Sequence, residues 1–479
     1  MLTLGNVIEA LQGIHPDHSD RVITSAVVDS RLAIPGALFV ALPGERVDGH
    51  NFVDDAFKHG ARFALVQQLA DNHSAVLDLR TPIDRTELSN QIAEIEPHTP
   101  IKLYVEDSLE ALQQIARFWR RKIDLRVIGI TGSVGKSTTK EVVAEVLNQR
   151  YRTLKNPGNL NNEIGLPLTI LGLGKGHERA VLEMGFYVPG EIQFLCDIAL
   201  PHVGVMTLIG TVHAERAGSQ EAIARGKAEL FEALPPAPEG VAILNNDDPL
   251  VREMRDKTQA RVFFYGLTPQ SDLWADSIES LGLDGINFRL HYHGDTLHMR
   301  VPLIGRHSVH TVLRAAAVGL IEGLTWQEIV NGLRSENIQL RLVVVKSHCG
   351  ALLLDDTYNA SPESTLAALN LLDELDGNKV AVLGDMLELG PYERQGHELV
   401  GRRAAEVAHE LVTVGELGLL ISAAARQAGM QEELITELEN SQEAIEFLEP
   451  RLCEDDVVLI KGSHGMRMDH IVTALETHR

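Results

Sequence analysis

The chain has 479 residues, 44% hydrophobic and 23% charged, a composition that excludes disordered and fibrous classes and, at roughly 100–200 residues per domain, suggests about three domains. Its 43 basic and 67 acidic residues leave a net charge of −24, which argues against a general affinity for nucleic acid or anionic lipid. If the substrate is an anion, the positive charge that meets it must be local.

Cys196, Cys349 and Cys453 are odd in number and far apart, so neither a disulfide framework nor a zinc module is indicated. The N-terminus lacks the basic head and apolar run of a signal peptide. No apolar stretch approaches the ~20 residues of a membrane span. The chain is therefore read as cytoplasmic, reduced and not inserted in a membrane.

In chain order, strand-like runs at Val22–Val28, Ala37–Leu42 and Phe63–Val66 alternate with Pro-Gly turns. A polar segment from about Asp71 to Pro100 carries no clear period and reads as a loop-rich insertion. The spacing then predicts a helix over Ser108–Lys122, with Leu109, Leu112, Ile115, Ala116 and Trp119 on one stripe. Strands are predicted at Arg126–Ile130, Ala180–Met184, His202–Ile209, Val241–Leu244 and Arg261–Tyr265, alternating with helical stretches. That alternation indicates a parallel sheet covered by helices. A further set, Ala351–Asp355, Lys379–Leu383, Glu410–Val414 and Val457–Ile460, suggests a separate doubly wound domain, with a boundary near Arg341.

Between the two sets a hairpin is predicted. Ile286, Phe288, Leu290 and Tyr292 alternate with polar residues, Gly294 and Asp295 turn the chain, and Leu297, Met299 and Val301 resume the alternation. This register sets Tyr292 opposite Leu297 and His291 opposite His298. His291, His293 and His298 then invite a metal reading, but no carboxylate or cysteine completes the ligand set. A solvated polar face is the preferred reading.

The strongest local signal is the run Thr131, Gly132, Ser133, Val134, Gly135, Lys136, Ser137 and Thr138, directly after an apolar strand and opening a helix. Glycines let backbone N–H groups approach phosphates, and a helix N-terminus favours anions. Lys136 would reach the β/γ-phosphates and the Ser137 hydroxyl would ligate Mg²⁺. The strict GxxxxGK[ST] pattern is not met, because Ile130 stands where its first glycine belongs. A plain glycine-rich turn is the alternative. Nucleotide binding is preferred.

This TGxxGK[ST] variant resembles the Mur ligase family, and further segments resemble it in order. They are Asp29–Arg31 with Pro35–Glu45 and Asp48–His50, then Gly158–Pro167, Leu354–Pro362, Leu383–Gly390 and Lys461–Met468. The resemblance implies an α/β chain of three domains. These are an N-terminal UDP-substrate domain over 1–106, a central P-loop ATPase-like parallel-sheet domain over 107–341, and a C-terminal Rossmann-like domain over 342–479. It implies that ATP phosphorylates a carboxylate and that an amine attacks the acyl phosphate. Such chemistry is mainly charge neutralisation and alignment, so a lysine and two Mg²⁺ ions are expected.

By resemblance, Lys136, Glu183, His213 and Lys227 are catalytic. Ser137, Glu183, His213 and Lys227 hold metal, with Lys227 carried as a carbamate, because an ammonium would repel Mg²⁺. Read alone, Glu183 could equally cap a helix, His213 be a hydrated loop residue and Lys227 an ordinary surface lysine. Arg341 and Asp356 match the family's nucleotide contacts. Ser30, Arg31, Asn159, Asn162 and Asn359 are expected to bind substrate.

Ser308 and Thr311 replace both asparagines of the family's HNxxN, and His464 stands where an arginine is common. A hydroxyl cannot present the paired edge of an amide. The chain lacks an Asp-Asn-Pro-Arg segment, and Asp356–Asn359 points to the dipeptide-adding branch. The expected substrates are UDP-N-acetylmuramoyl-tripeptide and D-alanyl-D-alanine, handled by a monomer. The rivals are a relative adding a single amino acid and, from another class, a P-loop switch or silent binding protein.

Overall fold

The structure is a computed structural model that describes residues 1–44, 47–69, 74–335 and 342–476. Arg341 lies outside them, so its expected nucleotide contact is not described. The chain forms two compact units. One joins Met1–Gly129, Tyr151–Gly185 and Glu191–His202; the other joins Ile130–Arg150, Phe186–Gly190 and Val203–Arg479.

The first unit opens with strands β1 (Ala26–Val27), β2 (Leu38–Val40), β3 (Phe63–Val66), β4 (Ala75–Asp78) and β5 (Ile101–Tyr104). They form an all-parallel sheet in the order β1-β2-β3-β5-β4. Every residue of β2 and β3 is buried, which is why both read as unbroken apolar runs. Of the predicted Val22–Val28 strand only β1 forms, since Val22 and Val28 are exposed.

The loop-rich reading of 71–100 is corrected, its first residues 71–73 lying outside the described ones. The segment holds β4 and a helix, Arg85–Glu94, capped by the Asp84 carboxylate, which accepts the Thr86 and Glu87 amides. Leu88 and Ile92 are its only large buried side chains, too few to show a period.

The helix Ser108–Lys122 forms as predicted. Asp107 caps it, and Leu112, Ile115, Ala116 and Trp119 are buried. Trp119 donates its indole N–H to the Leu173 carbonyl at 2.9 Å. Arg120, 4% exposed, donates to the carbonyls of Ala199 at 2.7 Å, Ile123 at 2.9 Å, and Leu125 and Leu200 at 3.3 Å. It thereby ties two helix C-termini to the strand that follows. That strand is β6 (Arg126–Thr131), of which residues 126–129 belong to this unit, and the unit also holds β7 (Thr153–Lys155) and β8 (Arg179–Glu183), in the order β6-β8-β7.

In the second unit β9 (Val203–Met206), β10 (Val241–Asn245), β11 (Arg261–Gly266), β12 (Leu273–Ser280), β13 (Ile286–Tyr292) and β14 (Asp295–Val301) lie side by side in chain order. Pairing is parallel up to β12 and antiparallel beyond it. The predicted hairpin forms, but its register is corrected. Tyr292 faces Asp295, His291 faces Thr296 and His298 faces Arg289. The turn is His293–Gly294, with φ of 48° and 90°, because a tight hairpin turn wants positive φ at both central residues. The three histidines do not converge, and among the described residues no group of three potential metal-ligating side chains forms.

A six-stranded sheet follows: β15 (Val343–Lys346), β16 (Leu352–Asp355), β17 (Asn378–Gly384), β18 (Glu410–Val414), β19 (Ile435–Leu438) and β20 (Asp456–Lys461), in the order β15-β16-β20-β17-β18-β19. All pairs are parallel except β15 with β16. Alternate residues serve two cores. Leu354, Leu383, Leu411 and Leu459 join one, while Leu353, Val382, Val412 and Ile460 join the other. Burial on both faces is what a doubly wound sheet requires. The three cysteines are free.

Candidate functional site

The turn between β6 and the helix Lys136–Asn148 is built for an anion. Gly132 has φ of 143° and an added Cβ would lie 1.8 Å from Thr207 Oγ1, so only glycine fits. Gly135, at φ 82°, is the N-cap, and no side chain caps the helix there. The first-turn N–H groups and the positive end of the helix dipole therefore face outward together. Ser133 Oγ accepts the Gly210 amide at 2.8 Å, and the Ser133 amide donates to the Leu208 carbonyl at 2.8 Å. These bonds fix the turn to the loop that follows β9.

Two lysines meet on this turn. Lys136 Nζ donates to the Gly132 carbonyl at 2.9 Å, and Lys227 Nζ donates to the same oxygen at 3.1 Å. Lys227 is 1% exposed, not the surface lysine that its helix alone suggests, and its ammonium lies 4.6 Å from the centre of the Phe186 ring. Two ammonium groups on one carbonyl concentrate positive charge in an otherwise acidic chain, and like charges so placed favour a multiply charged anion.

His213 begins a short helix in the left-handed conformation, φ 69°. Its Nδ1 is 2.7 Å from Glu388 Oε2, and its ring lies edge-on to Tyr187 with centroids 4.8 Å apart. Burial, then the charges of Lys136 and Lys227, hold its pKa down to about 4. The ring is neutral at pH 7, with Nδ1–H donating to Glu388 and Nε2 presenting a lone pair. A carboxylate behind a histidine is the usual way such a ring is oriented toward a metal. A second acid of the C-terminal region, Glu363, accepts the Thr211 amide at 3.0 Å, so two carboxylates hold the 210–213 loop.

In the first unit Glu183 closes β8 fully buried, which rules out a simple exposed helix cap. Asn161 Nδ2 donates to its carboxylate at 2.8 Å, and Asn156 Oδ1 accepts its amide at 2.9 Å. The expected Asn162 instead accepts the Gly165 amide at 2.9 Å at the start of a helix, and the Asn159 carbonyl accepts the Asn161 amide at 2.7 Å. Sequence reasoning missed Asn156 and Asn161, although Asn161 stands inside the segment it singled out. Ser30 is buried, while Arg31 is exposed and paired with Asp29 at 2.6 Å. Bonds from Arg31 hold Asp29 down to about 2.

At the carboxyl end of β16, Asp356 accepts Lys461 Nζ at 2.7 Å, and Lys461 also donates to the Asn359 carbonyl at 2.8 Å. Lys461 is 2% exposed. Asp356 and Asn359 are thus brought together by a residue that sequence reasoning had not singled out, although it opens the Lys461–Met468 segment. The His464 ring lies parallel to Tyr358 with centroids 6.3 Å apart.

Ser137 and His213, both of the second unit, offer a hydroxyl and an oriented imidazole, donor types that a divalent cation accepts. An ammonium at Lys227 does not fit. That position becomes a ligand only if the amine is converted into an anion.

Three family patterns match successive stretches: "Mur ligase family, catalytic domain" over residues 22–120, "Mur ligase middle domain" over 130–319, and "Mur ligase, glutamate ligase domain" over 340–464. The chain is 32% identical to UDP-N-acetylmuramoyl-tripeptide–D-alanyl-D-alanine ligase of Bacillus subtilis, covering 99% of this chain and 98% of that one. It is 37% identical to the enzyme of the same name from Synechocystis, over 80% of this chain and 76% of that one. Among solved structures, MurF from Acinetobacter baumannii superposes with a TM-score of 0.81 at 30% identity, covering 99% and 98%. MurF ligase from Thermotoga maritima in complex with ADP gives 0.76 at 28% identity, covering 95% and 97%.

Proposed function

This chain belongs to the Mur ligase family, and on that premise we propose that it joins D-alanyl-D-alanine to UDP-N-acetylmuramoyl-tripeptide, with cleavage of ATP to ADP and phosphate, in peptidoglycan precursor synthesis. The substrates follow from the near-full-length likeness to enzymes of that name. The observation that carries the chemistry is the meeting of Lys136 and Lys227 on the Gly132 carbonyl, at an uncapped helix N-terminus.

The tripeptide carboxylate attacks the γ-phosphorus of ATP, and ADP leaves. The D-alanyl-D-alanine amine then attacks the carbonyl carbon of the acyl phosphate, expels phosphate and loses a proton. Lys136 and the first-turn amides hold the β- and γ-phosphates and offset the charge that builds as they are transferred. Burial and the charges of Lys136 and Lys227 keep the His213 ring neutral, and Glu388 orients it by accepting from Nδ1. Asp356, held by Lys461, offers an acceptor for the ribose, and Arg341 a cation for the nucleotide. Asn159 and Asn162 stand with the tripeptide carboxylate, Asn359 with substrate, and Ser30 and Arg31 with the UDP end.

Bound Mg²⁺, on Ser137, Glu183, His213 and a carbamate of Lys227, would supply neutralisation of phosphate charge. The crowding of two lysines favours that carbamate, since adding CO₂ to one amine turns a repulsion into an attraction. The division of labour runs over 1–106 for the UDP substrate, 107–341 for ATP and 342–479 for the incoming dipeptide. Among the described residues no helix is long and apolar enough to cross a membrane. The enzyme is taken to act in the cytoplasm as a monomer.

The test is phosphate release by the purified protein with ATP, Mg²⁺ and UDP-N-acetylmuramoyl-tripeptide, with acceptors varied. Release that depends on D-alanyl-D-alanine is expected. Release that answers instead to a single amino acid, or to no acceptor, would overturn the reading.

A further inference from the structure

A buried guanidinium lies directly beneath the phosphate turn. Arg314, on the helix Ser308–Ile321, is 4% exposed. Its Nε donates to Thr139 Oγ1 at 2.9 Å, its Nη1 to the Tyr265 hydroxyl at 3.2 Å and its Nη2 to Thr311 Oγ1 at 2.8 Å. Thr139 and Tyr265 are themselves fully buried. Among the described residues no carboxylate lies within ion-pair distance of it. The nearby Asp247 is taken by His310 and by the Leu267 amide, and Asp248 by the amides of Ile209 and Leu250. A buried charge served only by neutral hydroxyls is costly, and a glutamine or methionine would join the same elements at lower cost.

The placement says what the charge is for. Nη2 lies 3.4 Å from where a Cβ on Gly135 would stand, immediately behind the N-cap of the helix Lys136–Asn148. A guanidinium only donates, so each hydroxyl that it touches must accept from it. The Tyr265 proton then goes to the Met206 carbonyl at 2.8 Å, at the end of β9. The cation is thus held from three elements, its own helix, the helix Lys136–Asn148 and β11, and the water that would otherwise screen it is excluded.

We propose that Arg314 is a positioning residue for the nucleotide, a built-in counter-charge whose anion is the polyphosphate seated on the far side of the Gly132–Ser137 turn. It contacts no ligand. It acts through the turn, adding a fixed positive potential to that of the helix dipole. This inference rests on the ATP reading above and deepens it.

The experiment compares adenosine, ADP and ATP, without Mg²⁺, by displacement of a fluorescent ADP analogue from wild type, Arg314→Gln and Arg314→Lys. Arg314→Gln keeps hydrogen-bonding groups but loses the charge. It should weaken ADP by about tenfold and ATP more, while adenosine stays within about twofold. Arg314→Lys should stay near wild type. Equal losses for adenosine and ADP, or none for either, overturn the counter-charge role. Failure of the wild type to bind ADP would instead overturn the ATP reading. Should Arg314→Gln not fold, wild type labelled at arginine nitrogen carries the test. The Arg314 Nε–H resonance should move with ADP and with inorganic pyrophosphate but not with adenosine; movement with adenosine alone would overturn the proposal.

Discussion

Lys227 shares a carbonyl with Lys136, so its ionic form decides how charge is managed around the phosphates. If it carries a carbamate, Lys227→Ala should lower kcat far more than it weakens ATP, because the lost stabilisation concerns the transferring phosphoryl group. Short carboxylic acids should then restore part of the rate. A plain ammonium would give no rescue, and Lys227→Arg would stay active. If His213 holds metal as proposed, Glu388→Gln should cost roughly 10–100-fold in kcat or metal affinity, with melting temperature little changed. The Gly132–Ser137 turn and Lys136 were legible in the sequence because one continuous segment builds them. Glu388 and Lys461 stood inside segments already marked, but their roles depend on partners 175 and 105 residues away, a distance over which spacing carries no information.

At the scale of elements, Arg120 makes the clearest forecast. Four backbone carbonyls of the first unit depend on its guanidinium, and buried carbonyls left without donors are costly. Arg120→Met, which keeps the stem packed, should lower stability by about 3 kcal/mol, read as a fall in urea midpoint with little change in slope. The helix that carries Arg120 was legible because its stripe is wide and its start is capped by Asp107. The parallel strands β3, β10 and β18 were legible as apolar runs. β4 and β12 were not: each is only partly buried, and β12 shifts register between Asp276 and Glu279. The hairpin was legible as an element but not in register, because His293 accepts the positive φ that the reading had assigned one residue later.

Over the whole chain, acid sensitivity should come from histidines kept neutral. Burial pushes His177, His213, His307 and His397 below the ordinary value of 6.5. His397 accepts the Met386 amide on Nε2 at 3.0 Å and donates from Nδ1 to the Glu393 carbonyl at 2.7 Å, so a second ring proton would meet an N–H. Their contribution is complete above pH 6.5. It is lost as the pH falls from there toward the folded-state value, because the unfolded chain binds protons that the native one refuses. Each such group costs about 1.4 kcal/mol per pH unit in that window. The drop in urea midpoint from pH 7.5 to 5.5 should shrink in His397→Gln, whose amide can both accept and donate; an unchanged drop would refute the assignment. The α/β class and the order of its regions were legible because alternating strands and helices leave a periodic trace.

The outer strand β14 ends its row of strands with one edge unpaired among the described residues. Its outward side chains are Thr296, His298 and Arg300, all exposed, and Arg334 Nε donates to the Arg300 carbonyl at 3.1 Å. Polar, charged and partly plugged, this edge is a poor template for a strand from another molecule. Crowding should therefore leave the protein dispersed. Replacing His298 and Arg300 with valine would turn the same edge into a seed for aggregation, visible as light scattering that grows with concentration while the fold itself persists.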